Sequence, residues 1–200
     1  MVNTTSRQLA LTRRSLLAAP ALLAPALFLP LPAPAAALKQ NDDGLYTRPW
    51  FLESLLDLTD DLNEAAGKGK RFLIMWELKG CPYCKKIHEV GLSDPAIETF
   101  IKERFELLQL NIIGAREVTD FDGERLPEKA FARKYGVRGT PTFQFFPDKT
   151  EGLAQKAPQA REVARWQGYM DPKPFVAMFR FVAEKAYEKT SLTDYLRANS

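Results

Sequence analysis

The chain has 200 residues, 46% hydrophobic and 26% charged, with a formal net charge of +3. That length and apolar fraction fit one globular domain plus an appendage. Three arginines and no acid fall in the first 37 residues, leaving 25 basic against 25 acidic side chains, so the case for a nucleic-acid or acidic-membrane partner falls away.

The appendage comes first. Thr12-Arg13-Arg14-Ser15-Leu16-Leu17 opens a run of Leu, Ala and Pro without an acid that ends in Ala35-Ala36-Ala37, the pattern of an export signal cleaved after small residues. Pro20, Pro25, Pro30, Pro32 and Pro34 interrupt the run and leave no apolar helix of about 20 residues to span a bilayer. The paired arginines resemble a twin-arginine signal, with a Sec signal as the alternative route. We therefore read residues 1–37 as a cleaved signal, 38–47 as a flexible lead, 48–190 as the folded domain and 191–200 as a tail adding one short turn.

Within the domain, Leu52, Leu55, Leu56 and Leu62 mark the apolar face of a helix from Pro49 to Ala66, with Gly67 at its exit. Arg71 to Glu77 holds the run Phe72-Leu73-Ile74-Met75-Trp76, a strand buried on both faces. Pro82 is tolerated only in a first turn, so the next helix begins at the cysteines and runs to Val90. Ser93-Asp94-Pro95 caps another helix with Ile97, Phe100 and Ile101 inward, and Phe105 to Ile112 forms a second apolar strand. Strand, helix and parallel strand in this order make a right-handed crossover.

Residues 113–126 are polar, with Asp120, Asp122, Gly123 and Glu124. A calcium loop would need a Glu at the twelfth position from Asp120, where Phe131 stands, so a hairpin turning at Asp122-Gly123 is expected. Pro127 starts a helix with Ala130, Phe131 and Tyr135 inward and Gly136 at its end. Thr142 to Phe146 follows Pro141 as an apolar strand; a cis Thr140–Pro141 bond would let Thr140 present its backbone to a substrate strand. A loose connection over 147–160 leads to an edge strand from Arg161 to Gln167. Asp171-Pro172 then caps a closing helix with Phe175, Met178, Phe179, Val182 and Tyr187 along one side.

Both cysteines lie in Gly80-Cys81-Pro82-Tyr83-Cys84. Two cysteines this close cannot staple distant elements, and the loop they close adds little stability, so chemistry explains them better than a framework. At a helix N-terminus, unsatisfied N–H groups and the macrodipole favour a thiolate on Cys81, and Cys84 one turn on is placed to resolve a mixed disulfide.

Apolar strand, Cys-x-x-Cys at a helix start, strand, helix, then Gly139-Thr140-Pro141-Thr142 opening an apolar strand resembles the thioredoxin superfamily. Met75-Trp76-Glu77, the cysteine motif with Lys85-Lys86, Val118-Thr119-Asp120-Phe121-Asp122-Gly123, and Tyr135 to Thr142 are most similar to the SoxW-type periplasmic thioredoxins of sulfur-oxidation systems. The likeness spans about residues 48–188. It implies an α/β thioredoxin fold with a central mixed sheet flanked by helices, plus an extra N-terminal helix and an inserted loop or hairpin. It also implies that Cys81 attacks, Cys84 resolves and Pro141 is the cis-proline opposite them.

Two departures stand out. Met75 occupies the position where many cytoplasmic thioredoxins bury an aspartate; Glu77 is a candidate proton relay through water, weighed against an exposed acid at a strand end. Pro82-Tyr83 between the cysteines resembles glutaredoxins, yet no glycine pair after the cis-proline strand is present to hold glutathione. His88 shares a helix face with Cys81 and Cys84, but three ligands on one helix fall short of a closed metal site, so no metal is expected and His88 reads as a partly exposed helix residue. Lys85 and Lys86 read as a solvated helix face, Trp76 and Trp166 as core, and Tyr83 as part of the substrate face together with Pro82, Thr140 and Pro141.

The expected activity is periplasmic thiol:disulfide exchange without a cofactor, with protein disulfides as partners, a membrane thiol electron donor and no stable membrane insertion once the signal is cleaved. The alternatives are an oxidant or isomerase resembling DsbA or DsbC, and a redox-inert or metal-carrying binding module.

Overall fold

The computed structural model describes Met1 and residues 38–199, so the expected export signal, Met1 apart, lies outside the described residues. Four strands form the main sheet, lying in the order Phe105–Asn111, Arg71–Glu77, Thr142–Phe145, Ala164–Gln167. The central strand β3 (Arg71–Glu77) runs parallel to β4 (Phe105–Asn111) and antiparallel to β7 (Thr142–Phe145), and β8 (Ala164–Gln167) pairs antiparallel with β7.

Alternation along these strands divides the core in two. Leu73, Met75, Leu107, Phe143 and Phe145 face one side, packed by Ile97 and Ile101 of α3 (Pro95–Arg104) and by Phe175, Met178 and Phe179 of α5 (Pro172–Ala183). Phe72, Ile74, Trp76, Leu108 and Leu110 face the other, packed by Leu58 and Leu62 of α1 (Leu58–Gly67) and Phe131 of α4 (Glu128–Lys134). Burial on both faces is why the strands read as continuous apolar runs. The fold is that of the thioredoxins, and the polar insertion is a hairpin of β5 (Glu117–Thr119) and β6 (Arg125–Pro127), with Gly123 at φ +81° in its turn.

Several expectations are corrected. The helix predicted from Pro49 begins only at Leu58, where the Asp57 carboxylate caps it by accepting from the N–H groups of Thr59 and Asp60 at 3.0 and 3.2 Å. Residues 49–57 instead satisfy their backbone against strands: the Leu52 N–H donates to the Leu107 carbonyl and the Thr119 N–H to the Leu56 carbonyl, both at 2.8 Å. That path turns Leu55 fully outward and holds Leu56 at φ +64°. The leucine spacing therefore belonged to an extended segment on the sheet edge.

The lead carries a short ladder of β1 (Lys39–Gln40) with β2 (Tyr46–Thr47), anchored by buried Leu45. The cysteine helix is α2 (Pro82–Lys86), continued by a π-helical turn over Ile87–Gly91. Arg161 ends a 3-10 turn (Pro158–Arg161) ahead of β8, because its guanidinium is drawn into the ion cluster of Asp120 and Asp122. Trp166 on that edge strand is half-buried. The tail forms α6 (Leu192–Asn199), two turns docked on α5 through buried Leu196.

Candidate active site

The site forms where β3 ends and α2 begins. Gly80 takes φ +77°, a left-handed turn that brings Cys81 to the helix N-cap with Pro82 in the first turn. Cys81 and Cys84 form a disulfide with 5.3 Å between their Cα atoms. The Cys84 N–H donates to Cys81 Sγ at 3.1 Å, so an orphan amide of the first turn points at the sulfur that would carry negative charge after reduction. Cys81 keeps 8% of its surface exposed and Cys84 only 1%. Only the first sulfur can be approached from outside.

Pairing of Trp76 with Thr142 sets the start of β7 beside the end of β3. This places the cis Thr140–Pro141 bond against the disulfide, with the Thr140 carbonyl oxygen 3.5 Å from Cys81 Sγ. The Thr142 hydroxyl donates to the Gly139 carbonyl at 2.7 Å and steadies the turn. Tyr83 is 58% exposed between the cysteines. Pro82, Tyr83, Thr140 and Pro141 are thus gathered around Cys81. Tyr169, which no motif marks in the sequence, joins them by stacking on Tyr83.

Glu77 and His88 correct the sequence reading. Neither is exposed: Glu77 retains 1% of its surface and His88 none. His88 Nε2 lies 3.0 Å from one Glu77 oxygen, and the other accepts from the side-chain amide of Gln109 on β4. The same amide donates to the Tyr46 carbonyl at 2.5 Å, tying the pair to the N-terminal ladder. Tyr46 and Phe51 flank the imidazole, each with a ring centroid 5.8 Å away. The segment read as a mobile lead is what covers His88, and helical spacing alone could not reveal it. His88 Nε2 is engaged by Glu77 and both cysteines are joined in the disulfide, and no group of three His, Cys, Asp or Glu side chains placed to hold a metal ion is gathered among the described residues.

Asp120 and Asp122 of the insertion are also engaged. Asp120 accepts from Arg161 and from the Tyr135 hydroxyl, both at 2.7 Å, and Lys134 pairs with Asp120 and Asp122. Burial alone would raise the Asp122 pKa, but hydrogen bonds from Lys134 and Arg161 outweigh it and hold the carboxyl well below its ordinary value.

Comparison with known proteins agrees with this geometry. The profile of the thioredoxin-like domain family matches residues 58–183, from α1 to the end of α5. Comparison with curated protein sequences finds no match. Among solved structures, a thioredoxin-fold protein from Helicobacter pylori is 20% identical, covering 70% of this chain and 94% of its own at a TM-score of 0.51. A thioredoxin from Thermus thermophilus is 26% identical (64% and 81% covered, TM-score 0.42), and the oxidised C-terminal domain of DsbD from Neisseria meningitidis 15% identical (62% and 92%, TM-score 0.40). With the family profile spanning more than half its length and the disulfide at the start of α2, this chain belongs to the thioredoxin-like domain family.

Proposed function

We propose that the protein is a thiol:disulfide oxidoreductase that exchanges the Cys81–Cys84 couple with protein disulfides. The observation that carries this is the asymmetry of the pair: Cys81 Sγ is approachable and receives a helix amide, whereas Cys84 is shielded directly behind it. In the reducing direction the Cys81 thiolate attacks one sulfur of a partner disulfide and releases the other as a thiolate. Cys84, deprotonated, then attacks Cys81 Sγ in the mixed disulfide. The partner leaves as a dithiol reduced by two electrons, and the Cys81–Cys84 bond reforms. No cofactor beyond the cysteines enters these steps.

Resemblance to the SoxW-type thioredoxins and the export pattern of residues 1–37 support a periplasmic reductant serving sulfur oxidation or a related pathway, recharged by a membrane thiol donor. We assign Glu77, buried behind the redox helix and bonded to His88, to proton transfer at the resolving cysteine through water. Glu77→Gln is then expected to alter the pH profile of the resolution step, the release of the partner from the mixed disulfide by Cys84; an unchanged profile removes the assignment.

The activity is tested by reduction of a disulfide substrate with dithiothreitol as donor. Cys81→Ser should abolish turnover and Cys84→Ser should trap the mixed disulfide, visible by mass spectrometry; turnover surviving Cys81→Ser rejects the reading. Equilibration in thiol buffers fixes the direction. A potential near about −270 mV supports a reductant, and one near about −120 mV makes the protein an oxidant.

A further inference from the structure

The face around Cys81 is built from more than the motif. The Gly168 N–H donates to the Pro141 carbonyl at 2.8 Å, which holds the β8–α5 loop beside the cis bond. The next residue, Tyr169, reaches across to α2, where its ring stacks on Tyr83 with centroids 6.5 Å apart and 22° between planes. Lys86 Nζ sits 4.0 Å from the centroid of the same ring, and the Tyr169 hydroxyl donates to Asp171 at 2.9 Å. Two rings from separate elements are thereby fixed next to the approachable sulfur, one of them more than half exposed.

The charges on this face do not balance. Lys86 forms no ion pair among the described residues, and neither does Arg138, two residues ahead of Thr140. Of the nearby acids, Glu89 is paired with Lys85, while Asp171 accepts from the neutral Tyr169 hydroxyl and keeps its charge. The Lys79 stem lies against Gly44, beside Asp42 and Asp43, so it adds little here. What remains is an apolar platform with two unpaired cations, Lys86 and Arg138, against the single charge of Asp171, on a domain whose basic and acidic side chains are equal in number once residues 1–37 are set aside.

We propose that this face docks an extended protein segment whose disulfide cysteine is flanked by an aromatic or aliphatic side chain and by a carboxylate. The apolar side chain packs on the Tyr83–Tyr169 stack, where aromatic contacts add to area burial. The carboxylate meets Lys86 and Arg138, which favours encounter more than residence. Tyr169 and Lys86 thus set which disulfides Cys81 reaches. This rests on the thiol:disulfide exchange reading and names its partner chemistry.

The test compares single-turnover rates of the reduced protein with three disulfides. Two are short disulfide-linked peptides, one with Phe and Glu beside the cysteine and one with Gly and Lys; the third is the small neutral 2-hydroxyethyl disulfide. The Phe/Glu peptide should react about tenfold faster than the Gly/Lys peptide at low salt, with part of the gap closing as salt rises. Tyr169→Ala and Lys86→Glu should each shrink that ratio, while Tyr169→Phe, which keeps the ring, should preserve it. Equal peptide rates in the unmodified protein, or a ratio untouched by Tyr169→Ala, overturns the inference while leaving the activity intact. Failure with all three disulfides overturns the activity, and the inference with it.

Discussion

At the scale of single residues, burial decides what charged groups do. Glu77 and His88 are held behind the redox helix by each other and by Gln109, so removing one member strands the other. His88→Ala should cost about 3 kcal/mol, the cost of leaving a buried oxygen of Glu77 without its partner together with the cavity left by the imidazole, read from urea unfolding. Asp61 shows the opposite problem. Burial pushes its carboxyl up to about 6 against the opposing hydrogen bond from Ser54, with Asp57, Glu64 and Asp60 adding to the rise. The folded state therefore holds this proton more tightly than the unfolded chain, and its contribution to stability is lost as pH climbs from about 3.8 through about 6. Asp61→Asn, which cannot ionise, should melt at a higher temperature than the unmodified protein at pH 7.5, with the advantage gone at pH 3.5. An equal difference at both values would mean that burial is not the cause.

At the scale of elements, the continuation of α2 depends on one small residue. Gly91 closes the π-helical turn, and a Cβ built there would lie 2.9 Å from the Phe175 ring of α5. Because Phe175 is itself packed on Phe143 and Phe179, the ring has little room to retreat. Gly91→Ala should destabilise by about 1–3 kcal/mol, the range for overpacking, despite alanine's better helix propensity. A stabilised variant would show that the turn can move off α5. The cysteine helix is thus pinned by α5 on one side and by the N-terminal ladder through His88 on the other.

At the scale of the whole molecule, long-range charges join segments that the sheet leaves apart. Arg161, 3% exposed, bonds Asp120 and Asp122 of the β5–β6 hairpin and also Tyr135 beyond α4. Arg161→Met should cost about 3 kcal/mol, at the low end for a broken buried pair because Lys134 still reaches Asp120. Adding Asp120→Leu should recover part of the loss, since the stranded charge is removed with its partner. Both effects are read as shifts in the unfolding midpoint. No recovery in the double variant would place the energy in packing around Arg161 instead.

Much was legible locally. The apolar runs of β3 and β4, the cap at Asp94, the helix start at Pro172, the turn at Asp122-Gly123 and the cysteines at a helix start each follow from a few adjacent residues whose backbone preferences agree. Pro82 could begin only a first turn, so the position of the reactive pair was determined by the sequence itself. What needed the tertiary structure were the features set by partners distant in the chain. Leucines 52 to 56 left the helical pattern because the edges of β4 and β5 offered their backbone hydrogen bonds. His88 was buried by a ladder about 40 residues earlier, and Tyr169 was brought to Tyr83 by a bond between Gly168 and Pro141. Local propensity determines where an element starts, but which of its faces meets solvent depends on surfaces the chain supplies from elsewhere.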